Sequence, residues 1–415
     1  MNSIAVIGAG ITGVTTAYAL MKRGLAVTLY DPQRYAAMET SYANGGQLSA
    51  SNAEVWNALP TVIKGLRWML KKNAPLLVNP LPTWHKLSWF SEFLAAIPQH
   101  DVNTIHTTQL AIAAREHLYA WAAAEQIDFD LERRGILHIY RDAQSFTAAG
   151  RISQLLAQGG LERRAVGPQE MREIEPHLEG HFYGGYFTPS DATGDIHLFT
   201  KGLAAACERQ GVEIAYQHQL LKIHPQEQGV QLTLRQGEGE VLTRQHDQLV
   251  ICAGVASRQL AAQVGDRLNI YPVKGYAITL PLKETHSQNQ APWVSLLDEE
   301  AKLVSSRLGP GRLRVAGTAE FNGQNLDIRA DRIQPLVDWV RRCFPHVSTE
   351  EVIPWAGLRP MLPNMLPRIG AGRHPRIFYN TGHGHLGWTL APATAELLAD
   401  QLISTRTGHG LVSSH

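Results

Sequence analysis

Strand, glycine turn, helix, strand and acid follow one another within the first thirty-one residues, and few folds accept that order. Ser3-Ile4-Ala5-Val6-Ile7 is an apolar run of strand length. Gly8, Gly10 and Gly13 follow at G-x-G-x-x-G spacing, with Ala9, Ile11 and Thr12 between them; Val14 to Lys22 suits a helix, and Ala26 to Tyr30 is a second strand that ends at Asp31. Each position has a physical reason in a dinucleotide site: the first glycine permits the tight turn, the second admits a pyrophosphate to the backbone, and the third lets helix and sheet pack closely. The helix start then meets the phosphates with its positive end. Asp31 is placed to accept hydrogen bonds from ribose hydroxyls. This segment alone does not choose between NAD and FAD.

Length and composition bound the rest. With 415 residues, 44% of them hydrophobic, the chain can bury a large core and is expected to divide into two domains. A net charge of +1 without a basic stripe argues against nucleic acid. Cys207, Cys252 and Cys343 are odd in number and far apart, so they are read as reduced and structural rather than as metal ligands. The first strand begins at residue 3, which leaves no room for a cleavable signal peptide, and no run of apolar residues is long enough to span a bilayer. A cytoplasmic location is expected, with a peripheral contact at the inner membrane as a further expectation.

The chain reads as an α/β protein: a Rossmann-like nucleotide domain assembled from residues 1–52, 143–265 and 352–415, and a sheet-rich α+β domain from 53–142 and 266–351. Residues 32–52 are a polar, Gly-rich loop. The segment Gln248-Leu249-Val250-Ile251-Cys252 is a strand running into Ala253-Gly254, a second close backbone approach. The pattern from 270 to 320 suits antiparallel strands, and the tail carries strand 377–380, a Gly-rich turn and a long helix. Residues 55–100 combine Trp56, Trp68, Trp84, Trp89 and Phe90 with five prolines and with Lys64, Arg67, Lys71 and Lys72. Two readings apply to them: a core excursion of the second domain, or a surface facing lipid headgroups.

Four stretches carry a resemblance. Glu39-Thr40-Ser41-Tyr42-Ala43-Asn44-Gly45-Gly46-Gln47, Tyr271-Pro272-Val273-Lys274-Gly275-Tyr276, Gly357-Leu358-Arg359-Pro360-Met361 and Asn380-Thr381-Gly382-His383-Gly384 resemble the bacterial D-amino-acid dehydrogenases of the D-amino-acid oxidase and glycine oxidase superfamily. The resemblance covers nearly the whole chain and implies FAD and oxidation of an amino acid at its α-carbon. It implies that Gly8, Gly10, Gly13 and Asp31 meet the adenosine and pyrophosphate. Thr40, Ser41, Gly46, Gln47 and Leu48 would line the flavin, Ala253 and Gly254 would pass near it, and Gly382, His383, Gly384, Leu386 and Gly387 would stand at its pyrimidine edge. Arg359 would hold the substrate carboxylate. Sarcosine oxidases carry a flavin-tethering Cys near the position of Gly357, so non-covalent FAD is expected. The dehydrogenases usually continue with Pro-Asp-Gly, whereas this chain has Pro363-Asn364-Met365.

The chemistry agrees with those residue types. An Arg guanidinium grips a carboxylate through two parallel charge-assisted hydrogen bonds, and a structural ion pair is the alternative role for Arg359. Tyr276 is placed to add a hydroxyl to the same carboxylate, or is an ordinary strand aromatic. His383 and His385 lack a further ligand for zinc, and the turn that holds them is expected to face the flavin's carbonyl edge. The leading expectation is a dehydrogenase of D-amino acids, cyclic ones such as D-proline or hydroxy-D-proline included, that passes electrons to a quinone or similar acceptor. An oxygen-using oxidase of glycine or sarcosine type and a non-catalytic dinucleotide-binding protein are the competing readings.

Overall fold

The computed structural model describes residues 3–68 and 74–406. Its first sheet has Ser3–Ile7 near the centre, flanked in parallel by Gln248–Ile251 and Ala26–Asp31. Ile377–Thr381 and Glu213–Tyr216 extend the sheet in parallel, and Arg368–Ala371 closes one edge antiparallel. The inner strands are apolar at nearly every position because both faces are covered. Ile4 and Val6 pack with helices Ile11–Lys22, Ile196–Arg209 and Gly387–Arg406, while Ala5 and Ile7 meet Val230, Leu232 and Leu234 on the opposite side. Those last residues belong to a three-stranded antiparallel sheet, His218–Gln226, Gly229–Gln236 and Val241–His246. The sequence there reads as a polar hairpin because only alternate residues turn inward.

A second sheet of nine strands runs Ile353–Met361, Tyr271–Pro281, Arg312–Phe321, Leu303–Leu308, Ser295–Asp298, Ile136–Tyr140, Gly184–Thr188 and Arg164–Val166, with Leu76–Val78 paired to the end of Arg312–Phe321. Its strands from 270 to 320 are antiparallel to one another, as the alternation of side chains implies. Helix Ala330–Cys343 covers one face through Leu336, Trp339 and Val340. Strands Arg164–Val166, Gly184–Thr188 and Ile353–Met361 hydrogen-bond within this sheet. The sequence division put all three with the nucleotide unit, since short strands carry no mark of their partner. All three cysteines are free and buried.

The first turn fixes how sheet and helix meet. Gly8 has φ +103°, a conformation that side chains rarely adopt, and a Cβ there would also crowd the Cys252 carbonyl. A Cβ on Gly13 would collide with the Gly8 carbonyl oxygen. Gly13→Ala should therefore lower stability by about 3 kcal/mol or more, the upper end of core overpacking. Gly24, with φ +74° and nothing within 4 Å, isolates the backbone effect, and Gly24→Ala should cost only about 1–2 kcal/mol. Equal denaturant midpoints for the two variants would count against the packing role of Gly13.

Candidate functional site

One cavity of about 1510 Å³ opens between the two sheets, larger than the roughly 300–1,000 Å³ that serves most small ligands. Gly8, Gly10, Ile11, Thr12 and Asp31 line one end of it. Gly10 has an ordinary extended backbone, φ −74°, and a Cβ on it would meet only the Ser41 hydroxyl at 3.4 Å. The protein does not itself require a glycine there, so the open space belongs to whatever fills the cavity. Ser41, thirty residues further on, accepts a hydrogen bond from the Ile11 amide at 3.0 Å and supplies the cap that Gly10 lacks. Asp31 is 7% exposed and accepts from the Ala9 and Gln33 amides at 2.5 and 2.7 Å. Burial raises its pKa, and the two amide bonds oppose that shift. Ala9 and Gly13 stand behind the turn, off the cavity wall.

The middle of the cavity is formed by three chain segments. Thr40 donates to the Leu358 carbonyl at 2.8 Å, tying the polar loop to the nine-stranded sheet. Gly46, with φ +73°, and Gln47 line the wall. Gln47 donates through Nε2 to Ser295 Oγ at 2.7 Å and to the Leu296 carbonyl at 3.0 Å, while its Oε1 is buried without a partner among the described residues. Leu48 does not line the cavity. Gln47–Leu48 is a short strand, so consecutive side chains face opposite ways, and Leu48 enters the core beside Ala192. Ala253 and Gly254 form a second wall; Gly382, His383, Gly384, Leu386 and Gly387 form a third. Two helices, beginning at Ile11 and Gly387, thus start on the cavity.

At the far end stands Arg359. Its guanidinium lies across Gly275, where a Cβ would collide with it, and donates from Nη1 to the Thr318 carbonyl at 2.8 Å. Thr318 has φ +59°, a rare conformation for a β-branched residue. Arg359 makes no ion pair among the described residues, and burial alone lowers its pKa to about 10. Its charge therefore has no acidic partner among the described residues. Gly357 also lines the cavity, and the space where its side chain would go is filled by the Trp355 ring.

Tyr276 does not join Arg359. In the uninterrupted register Val273 faces Arg359 while Tyr276 faces Ala356, which puts the two side chains on opposite sides of the sheet. The Tyr276 hydroxyl instead donates to Glu320 Oε2 at 2.7 Å, and Lys274 pairs with Glu320 Oε1 at 3.1 Å, both partners fully buried. Burial and the Glu320 carboxylate together raise the phenol's pKa. His383 lines the cavity, but its Nε2 is turned to Thr394 Oγ1 at 2.9 Å. His385, which the sequence weighed only as half of a zinc pair, stacks on Trp56 with ring centroids 4.7 Å apart. Its only sequence signal was an H-x-H pair without a further ligand, and among the described residues no cluster suited to a metal ion is found.

The FAD dependent oxidoreductase family matches residues 3–401. D-amino acid dehydrogenase 3 of Mesorhizobium japonicum is 57% identical over 399 residues, 96% of each chain. A D-amino acid dehydrogenase of Dechloromonas aromatica is 40% identical, with 97% of each chain covered. Among solved structures, glycine oxidase from Geobacillus kaustophilus superposes with a TM-score of 0.76 at 19% identity, covering 97% of this chain and 95% of that one. L-proline dehydrogenase from P. horikoshii superposes with a TM-score of 0.75 at 16% identity, covering 98% and 94%. At such identities these two structures speak for the fold alone. The residues present fit FAD: two helix starts, the open space at Gly10 and the acid at the end of the second strand share one cavity.

The placement of Tyr276 is testable by deleting its hydroxyl. Tyr276→Phe should cost about 1.5–3 kcal/mol of stability, the worth of a hydrogen bond to a charged group, and leave ligand affinity in the cavity unchanged. A selective loss of affinity at unaltered stability, measured by calorimetric titration beside denaturant unfolding, would return the hydroxyl to the site.

Proposed function

This chain belongs to the FAD dependent oxidoreductase family, and from that premise we propose that it oxidises D-amino acids at the α-carbon and passes the electrons to a quinone-like acceptor. The observation that carries the reading is Arg359, a guanidinium on the cavity wall with a backbone carbonyl as its hydrogen-bond partner and no acidic one among the described residues. The 57% identical dehydrogenase supports the choice of substrate class. FAD, when bound, supplies the hydride acceptor.

The chain's own residues do the rest. Gly8, Gly10, Ile11 and Thr12 bring amides and a helix start to the pyrophosphate, and Asp31 receives the ribose. Thr40, Ser41, Gly46 and Gln47, with Ala253, Gly254 and the turn Gly382–Gly387, enclose the flavin. With the Trp355 ring over Gly357, no room is left for a tether at that position, which supports a non-covalent cofactor. Arg359 holds the substrate carboxylate in a two-pronged grip and so orients the α-carbon. Substrate binding offsets the desolvation of that guanidinium, which makes the contact worth more than an exposed one.

Segment 55–100 supports the acceptor. Trp89 and Phe93 are packed inside, and the cavity continues past Trp56, Leu76, Phe90 and Phe321 beneath helix Leu59–Trp68. Leu59 and Leu66 are exposed on the helix that also carries Lys64 and Arg67, with Lys64 and Leu66 at the cavity rim, and Leu81, Leu87 and Trp84, the last at 84%, are exposed further along. Apolar side chains among cations suit a headgroup interface, where a lipid-soluble acceptor is at hand. Lys71 and Lys72 lie outside the described residues. Among those described, no helix is long and apolar enough to cross a membrane.

Anaerobic mixing with a panel that includes D-alanine, D-proline, hydroxy-D-proline and their L-forms should bleach the flavin with D-forms only. In air, a soluble quinone should drain the electrons with little peroxide formed. Faster reduction by an L-form, or one peroxide per turnover in the presence of quinone, would overturn the stereochemical and acceptor halves respectively. Arg359→Ala should cost about 2–5 kcal/mol in kcat/KM, roughly 30-fold to several-thousand-fold, with FAD retained. Arg359→Lys should recover only part of that, since a point charge cannot reproduce the fork.

A further inference from the structure

We propose that the Glu299–Lys302 ion pair on the cavity wall sets the side-chain preference of the site, admitting D-amino acids with neutral side chains and turning away those with charged ones. The inference rests on the D-amino acid reading and deepens it. Lys302 Nζ lies 2.6 Å from Glu299 Oε2, and both residues line the cavity, Lys302 exposed and Glu299 half-buried. Glu299 is held from behind: its Oε1 is hydrogen-bonded to His138 Nδ1 at 3.2 Å, and His138 Nε2 meets Ser51 Oγ at 2.9 Å. Lys302 has φ +53°, where glycine is the ordinary choice, so the turn alone does not call for a lysine.

One residue joins the pair to the cation that holds the substrate. The Thr318 amide donates to the Lys302 carbonyl at 3.4 Å, and the Thr318 carbonyl accepts from Arg359. Lys302 stands at the head of strand Leu303–Leu308, next to the strand that carries Thr318, and adjacent strands lie about 4.8 Å apart, within reach of a side chain the length of glutamate's. Burial pushes the Glu299 carboxyl up, but Lys302 and the His138 hydrogen bond outweigh it and hold the group well below the usual carboxylate range, so the pair stays charged. Apart from Asp31 and Glu39 at the nucleotide end, the Asp, Glu, Lys and Arg residues lining the cavity are Arg359, Lys302, Lys64, Glu299 and Glu54. Three cations thus face two anions, and the substrate carboxylate is the third anion. A charged side chain would shed its water with no unpaired countercharge to meet.

Substrate pairs that differ in charge separate this role from a structural one. With FAD-loaded protein and a soluble quinone, kcat/KM is measured for D-glutamate against D-glutamine, and for D-lysine against D-norleucine, which has the lysine stem without its amine. In the unmodified protein the charged member of each pair should be the poorer substrate by about 10-fold or more. Glu299→Gln keeps a hydrogen-bond acceptor for His138 and frees the Lys302 charge. It should raise the D-glutamate to D-glutamine ratio by about 10- to 100-fold and leave the D-lysine ratio no higher. Lys302→Met should do the reverse, and the double variant, again balanced, should return both ratios toward their starting values. If Lys302→Met does not retain FAD, Lys302→Gln gives the same comparison. A merely structural pair would change all four substrates in parallel; that result, unmoved ratios, or equal oxidation of D-glutamate and D-glutamine by the unmodified protein would overturn the assignment. Failure of the unmodified protein to oxidise any D-amino acid would instead overturn the functional reading on which it rests.

Discussion

The contact between the Gly8 carbonyl and the bare Cα of Gly13 governs how the rest of the molecule is arranged. It lets helix Ile11–Lys22 lie close to strand Ser3–Ile7, and the carbonyl of Cys252, just past the end of the neighbouring strand, comes within the space that a Gly8 side chain would need. With that helix start fixed, Ser41 can cap it from thirty residues away, and the cap draws the polar loop over the turn. Thr40 then fastens the same loop to Leu358, one residue before Arg359. A short chain of contacts thus links the nucleotide end of the cavity to the cation at its other end.

Strand parity makes the second decision. Residues 353–361 and 271–279 pair without a break, so every odd position from 355 to 359 shares a face with 273 and 275. Trp355 and Arg359 occupy that face because Gly357 and Gly275 leave it empty for them. The opposite face holds the buried Lys274–Glu320 pair, and the Tyr276 hydroxyl is taken up by Glu320. Removing one member of such a buried pair costs several kcal/mol, so its role is structural and its conservation of charge balance is internal.

Residues 55–100 divide between core and surface. Trp89 stacks on Phe93 and reaches the Met361 carbonyl through its ring N–H at 2.8 Å, the behaviour of a core aromatic. Trp84, only five residues earlier, stands in solvent. The turn at Pro363-Asn364-Met365 is held by the same region, through Asn57 donating to the Pro363 carbonyl at 2.8 Å. Met365 keeps a φ of +65° there and buries its side chain in the cluster around Trp89.

What the sequence determined by itself was the local grammar. The glycine spacing, the apolar runs of the parallel sheet and the acid at position 31 act within a few residues of chain, so periodicity and spacing suffice to read them. The resemblance added the segments that line the cavity, most of which do line it. Tertiary structure alone decided which strands share a sheet, because hydrogen-bond partners far apart in the chain leave no local mark. It also decided that Leu48 enters the core, that the Tyr276 hydroxyl is spent on Glu320 and that His385 stacks on Trp56 at the cavity wall, since a side chain's direction follows from register and from the neighbour it stacks on. Trp56 and His385 are more than three hundred residues apart in the chain, and only the closed fold lays one ring on the other.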